Sequence, residues 1–326
     1  MRNTFLLFFF ILNISFFAFP GEGTAQFGNP IDPSSASTLV FSPRYPEPNE
    51  QITIELNDYS INTSGAAIQW FIDGTEEVLV QNERSISITA GELGSKTIVT
   101  AITTLANGSR IEAQKNITPI RIDMLIEADT LAPSFYKGRT IPSTGSSIQV
   151  TALPFTGVDR NPETFSYVWR VDDKVQGGGS RYGRNSITFT SGFEKNILVS
   201  VDVIDDAGNI LSSESTYIPL ANPELHFYEI NPLRGMSEIA MNNGFIFLGD
   251  EIKIHAVPYF VDKSLVTNNP HIEWKLNNQT IQNPSTNPQE ITLRKEGDSG
   301  SFAIEFHIRN LRQLLQGVKD SVTINF

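Results

Sequence analysis

The sequence predicts an all-β protein made of three tandem β-sandwiches. Three observations carry that expectation: a threefold internal repeat, apolar residues spaced at the period of two that strands require, and turn residues separating the short runs. The only tryptophans, Trp70, Trp169 and Trp274, lie 99 and 105 residues apart. Each stands in one local pattern: Ile68-Gln-Trp70-Phe-Ile72-Asp73-Gly74, Tyr167-Val-Trp169-Arg-Val171-Asp172-Asp173 and Ile272-Glu-Trp274-Lys-Leu276-Asn277-Asn278. Alternation across the tryptophan followed by an Asp/Asn/Gly pair describes a half-buried strand running into a tight hairpin.

The flanks repeat as well. An alternating strand precedes each tryptophan, at Ile52–Leu56, Ile148–Ala152 and Ile252–Ala256. Two more follow it: Ile86–Ile88 with Thr97–Thr103, Ile187–Phe189 with Ile197–Val203, and Ile291–Leu293 with Phe302–Ile308. A closing strand is expected near Ile117–Ile122, Glu214–Ile218 and Ser321–Phe326. A helical turn is expected only at Leu311–Leu315. Six or seven short strands per roughly 100 residues is the profile of a sandwich, with the tryptophan filling the space between two sheets. Trp70, Trp169 and Trp274 are therefore the expected core residues.

These strand-turn units resemble bacterial immunoglobulin-like and PKD-like domains. The run Val201-Asp-Val203-Ile-Asp205-Asp206-Ala-Gly208-Asn209 is similar to the penultimate strand and hairpin of such modules. Asp129–Gly138 resembles segments of multi-domain bacterial surface proteins. The resemblance implies immunoglobulin-like sandwiches at 38–128, 129–223 and 224–326, after a Pro/Ser/Gly-rich lead-in at 26–37. Connections of a few residues imply a semi-rigid, rod-like array.

Residues 1–25 have a different composition. Arg2 precedes an apolar stretch from Thr4 to Phe19, and Gly23-Thr24-Ala25 supplies small residues suited to signal peptidase. That stretch would span about 24 Å as a helix, against roughly 30 Å of bilayer hydrocarbon. It reads as a cleaved signal peptide, with an uncut N-terminal anchor as the alternative. No later stretch reaches the length of a membrane span. Export combined with an absence of cysteine suits a bacterial surface or secreted protein better than an animal ectodomain, which would ordinarily carry disulfides.

Composition excludes several chemistries. Without cysteine there is no thiolate zinc site and no thiol nucleophile. A net charge of -12 argues against nucleic acid as partner. All four histidines, His226, His255, His271 and His307, fall in the third unit. Alternation puts His255 and His307 on outward faces, as solvated residues. A zinc site from the two would want adjacent strands and a third ligand.

The carboxylate pairs Asp172-Asp173 and Asp205-Asp206 fall in predicted hairpins. There they stabilise turns or, in the alternative reading, collect Ca²⁺ at one end of the second sandwich. No cofactor is expected apart from calcium in that alternative reading. The run Gly177-Gly-Gly179-Ser-Arg181-Tyr182-Gly183-Arg184 is the most unusual in the chain. A strand rather than a helix follows it, so it is no phosphate loop. Arg181, Tyr182 and Arg184, with the Phe155–Phe165 connection, are the candidate binding residues. The expected function is a non-catalytic, exported spacer, adhesion or protein-interaction module with a protein or glycan partner. The alternatives are a component of an envelope machine such as a pilus or secretion apparatus, and a polysaccharide-binding accessory protein.

Overall fold

The computed structural model describes residues 37–58, 65–158, 160–282, 285–311 and 316–326. The expected signal peptide, nearly all of the lead-in and most of the expected helical turn at Leu311–Leu315 lie outside the described residues. Described residues form an all-β chain with six sheets, stacked in three pairs.

In the first pair, β1 (Ser37–Ser42), β2 (Gln51–Asp58), β3 (Ala67–Ile72), β4 (Thr75–Glu76), β5 (Ser85–Thr89), β6 (Thr97–Thr104) and β7 (Arg110–Ile117) follow in order. One sheet runs β1-β2-β5 and the other β4-β3-β6-β7. The period-2 pattern decides which side of each strand is buried. Ile52, Ile54 and Leu56 of β2 face inward while their neighbours stay out. They meet Trp70, Val99 and Ala101 of the opposite sheet in one buried cluster.

The second pair uses β8 (Arg121–Ala128), β9 (Ser147–Phe155), β10 (Ser166–Val171), β11 (Lys174–Val175), β12 (Arg181–Tyr182), β13 (Ser186–Thr190), β14 (Asn196–Ile204) and β15 (Ile210–Pro219). Its sheets are β13-β9-β8 and β11-β10-β14-β15, with β12 also on β10. Here the expected boundary at 128/129 shifts. Arg121–Ala128 pairs along its length with Phe155–Ile148, so the second sandwich begins at β8. The physical reason is Pro119, which cannot donate to a ladder and ends the first sandwich two residues after β7.

The third pair uses β16 (Glu224–Asn231), β17 (Gly235–Met236), β18 (Phe245–Ile246), β19 (Glu251–Tyr259), β20 (His271–Leu276), β21 (Gln279–Ile281), β22 (Glu290–Arg294), β23 (Ser301–Arg309) and β24 (Gly317–Asn325). Its sheets are β17-β16-β19-β22 and β18-β24-β23-β20-β21. A short helix, α1 (Ser264–Thr267), follows β19.

Consecutive sandwiches touch. At the first junction Gly94 and Gly157 lie back to back, both at positive φ. A Cβ on Gly94 would stand 2.1 Å from the carbonyl oxygen of Thr156, and one on Gly157 2.3 Å from that of Leu93. Gly94→Ala is therefore expected to destabilise by about 1 kcal/mol or more and to push the two sandwiches apart. Thermal melting and the distance between fluorophores on the first two sandwiches would check both effects.

The second junction is more extensive. The connection between β8 and β9 does not stay on its own sandwich. It reaches onto the third, where Leu131 N–H donates to Val261 O at 2.7 Å and Phe260 N–H donates to Leu131 O at 2.8 Å. Phe135 and Tyr136 of this connection pack edge-on against Tyr228, Tyr259 and Phe260.

Candidate functional site

In the second sandwich the site begins with β10. Alternation turns Tyr167 and Trp169 inward, and both are buried. The Trp169 indole N–H then donates to the backbone carbonyl of Arg184 at 2.9 Å. The same contact recurs in each sandwich: Trp70 donates to Glu83 O at 2.8 Å and Trp274 to Pro288 O at 2.9 Å. Each tryptophan thus fills a core and also fastens the segment that crosses from one sheet to the other, because a buried indole N–H needs an acceptor.

What lies between tryptophan and acceptor differs. In the first sandwich Glu77 N–H donates to Trp70 O at 2.9 Å, and three residues later Val80 packs against the core. In the second, Gln176 N–H makes the matching bond to Trp169 O at 2.8 Å. Three residues on from Gln176 stands Gly179. The triplet Gly177-Gly178-Gly179 occupies the register of Val78-Leu79-Val80, at φ values of 66°, 82° and 120° that favour glycine. The apolar plug is missing, and a groove of about 290 Å³ opens there, lined by Trp169, Gly177, Gly179, Arg181, Arg184, Ile187 and Phe189 among others.

The consequence shows in one core position. Ile86 of β5 and Ile291 of β22 are 4% and 3% exposed. Their counterpart Ile187 of β13, paired with Val150 as Ile86 is with Ile54, is only half-buried. The groove leaves a core residue uncovered.

Two of the three predicted binding residues line this groove. Arg181 is folded over the glycine run, its Nε donating to Gly177 O at 2.6 Å. Arg184 supplies its carbonyl to Trp169 and keeps an exposed side chain. Among the described residues, ion pairs engage Arg84, Arg121, Arg160, Arg170 and Arg294, and none engages Arg181 or Arg184. Tyr182, alternating with Arg181 on β12, does not line the groove and is 66% exposed. Tyr167 closes the other wall. Its hydroxyl donates to Pro162 O at 2.6 Å, and burial pushes its pKa up to about 12. The Phe155–Phe165 connection satisfies itself instead: Arg160 stacks over Phe165 and pairs with Asp206 at 3.2 Å.

The carboxylate pairs are not brought together. β10 and β14 are antiparallel, so the hairpin after β10 and the hairpin after β14 fall at opposite ends of the sheet, not at one end. Asp172 accepts from Leu198 N–H at 3.0 Å, and Asp172 and Asp173 hold the left-handed conformations of a tight turn. Asp205 accepts from the backbone N–H groups of Asn209 and Ala207, and those bonds, Asn209's first, lower its pKa. Among the described residues no three His, Asp or Glu side chains are grouped to hold a metal ion.

The histidines also differ from expectation. His255 on β19 and His307 on β23 belong to opposite sheets, which removes the two-histidine zinc arrangement. Nor is His255 solvated: its side chain is 21% exposed, with Glu290 Oε1 at 3.5 Å from Nδ1. Burial lowers its pKa below 6.5; Lys253 acts in the same direction and Glu290 opposes. His307 is lowered too, first by burial. The folded state therefore binds fewer protons than the unfolded chain below about pH 6.5, so stability is full above that value and declines as pH falls beneath it. Melting of the third sandwich is expected to drop between about pH 7 and pH 5, and His255→Gln to flatten part of the slope.

Sequence reasoning missed the second junction. Asp262 is buried there, accepting from Ser147 and Ser264 N–H groups, while its own N–H donates to the buried Gln316. A signal was available in Ala256-Val-Pro-Tyr-Phe-Val261, a strand end without alternation, as expected where both faces are covered.

The chain is all-β, built of tandem two-sheet sandwiches. No family profile matches it, and no curated protein does. Solved structures do show likeness. The fibronectin(III)-like modules of Clostridium thermocellum CbhA are 17% identical, covering 56% of this chain and 93% of theirs, with a TM-score of 0.28. The central fibronectin-III array of RIM-binding protein is 12% identical, covering 87% and 95%, with a TM-score of 0.28. The Bacteroides ovatus SGBP-B, solved with a mixed-linkage heptasaccharide, is 13% identical, covering 85% and 63%, with a TM-score of 0.21. At these identities and TM-scores the likeness says nothing of what this chain does. Among the described residues no helix is long and apolar enough to cross a membrane.

Proposed function

We propose that this chain is a bacterial protein exported through residues 1–25, acting without catalysis as a surface spacer and protein-interaction module. The observation that carries this reading is the groove of the second sandwich. It uncovers Ile187 in a fold whose other two cores are closed at that position, and it sets two arginines without acidic partners beside it. An uncovered apolar site with oriented polar groups at its rim is the form a recognition site takes. The contacts at both junctions support presentation of that site in a fixed orientation.

Access on intact cells tests the reading. Lys174 is exposed on β11, close to the groove. A membrane-impermeant amine reagent is expected to label it on intact cells of the producing organism. Labelling only after lysis would overturn the surface assignment.

A further inference from the structure

The first sandwich displays the kind of segment that closes this position. Its plug, Val80, ends a short 3-10 turn, Val78–Val80, within the acidic run Glu76-Glu77-Val78-Leu79-Val80-Gln81-Asn82-Glu83. The second sandwich has lost the plug and holds two arginines there: Gly179 stands in the register of Val80, and Arg181 and Arg184 line the opening. We infer that the groove accepts the missing plug from outside, as an aliphatic side chain on an acidic peptide of a partner protein. This deepens the interaction-module reading and rests on it.

Four features select that occupant. The hole is small, at the low end of the roughly 300–1,000 Å³ of ligand pockets, which fits one aliphatic side chain better than a whole folded surface. Trp169, Ile187 and Phe189 give it apolar lining, among polar groups of Gln176, Ser186 and Thr188. β13, which forms one wall, pairs with β9 on one side only and reads Ser-Ile-Thr-Phe-Thr, without charge or proline. Its outer edge is thus open to main-chain pairing with an extended segment. The guanidinium of Arg181 is held by Gly177 O through Nε, which leaves its remaining N–H groups for a carboxylate. On a chain of net charge -12, two arginines without acidic partners favour an acidic ligand specifically at this rim.

The test uses the purified protein and a fluorescent synthetic peptide with the sequence of residues 76–83, followed by polarisation. The peptide is expected to bind. Serine in place of its valine at position 80, or glutamine in place of its glutamates, should each weaken binding about tenfold. Arg181→Ala and Arg184→Ala in the protein should do the same, with unchanged thermal melting, and added salt should weaken the wild-type complex. Three results would overturn the inference: no binding up to about 1 mM peptide, binding indifferent to both arginines, or Arg-dependent binding of trigalacturonate in place of the peptide. Because the assay is made in solution, peptide binding without surface labelling would sink the localisation and leave the groove standing.

Discussion

Trp70→Ala and Trp169→Ala are expected to destabilise their sandwiches by unequal amounts, with the loss at Trp70 the greater. Truncating a buried tryptophan costs about 3–5 kcal/mol, and the spread depends on how well the site collapses or is refilled. Trp70 is fully buried in a core that Val80 packs against, so its removal leaves a closed apolar void and removes the indole donor to the Glu83 carbonyl. Trp169 borders the groove, so water can reach the space it vacates and solvate the carbonyl of Arg184. Losing even the smaller amount removes a large share of the 5–15 kcal/mol that holds a typical domain. Urea denaturation of each single variant, followed by hydrogen exchange at Val99 in the first core and Val201 in the second, would measure the difference. Equal losses, or a greater loss at Trp169, would mean that the groove does not reach the indole.

Much of this architecture is legible in the sequence because the decisive forces are local and periodic. In β2 the pattern Ile52-Thr-Ile54-Glu-Leu56 leaves one choice of buried face, and the same holds for β9 and for the first half of β19. Hairpins after the tryptophans follow from Asp and Asn residues that tolerate positive φ, as Asp73, Asp172 and Asn277 do. The boundary at β8 was harder to place. Arg121–Ala128 alternates as well as any neighbour, and alternation says which face is buried without saying against which sandwich.

The groove lay half in view. A run of three glycines followed by two arginines is conspicuous, but its meaning depends on a register that only the hydrogen bonds supply. Gln176 matches Glu77 because each N–H donates to a tryptophan carbonyl, and that match places Gly179 where Val80 stands. The fold turns the same residues into a missing piece of core. The carboxylate pairs show the converse case: Asp172 and Asp205 look alike in sequence, but the antiparallel ladder between β10 and β14 separates them.

Gln316→Ala is expected to uncouple the second and third sandwiches, the largest change in assembly that a single surface-distant residue can produce here. Gln316 has no exposed surface, and its amide joins both sides of the junction. Its Oε1 accepts from Asp262 N–H at 2.8 Å, and its Nε2 donates to Thr144 O at 2.7 Å. Asp262 in turn accepts from Ser147 N–H at 2.9 Å, which ties the start of β9 to the third sandwich. Truncation leaves the buried Asp262 N–H unsatisfied, at about 1–3 kcal/mol, and removes the tie to Thr144 O. The aromatic contacts of Tyr136 and Phe135 would then hold the junction without the polar tie that fixes its register. In the wild-type protein the two sandwiches should unfold together, because the connection between β8 and β9 belongs to one and lies on the other. In the variant, calorimetry should resolve separate transitions for the second and third sandwiches, and hydrogen exchange should rise at Leu131, Ser147 and Phe260 while Val99 in the first core stays protected. A single unchanged transition would show that aromatic packing alone couples the pair. In that case Tyr136→Ala, which removes the ring against Tyr259 and Phe260, becomes the variant that separates them.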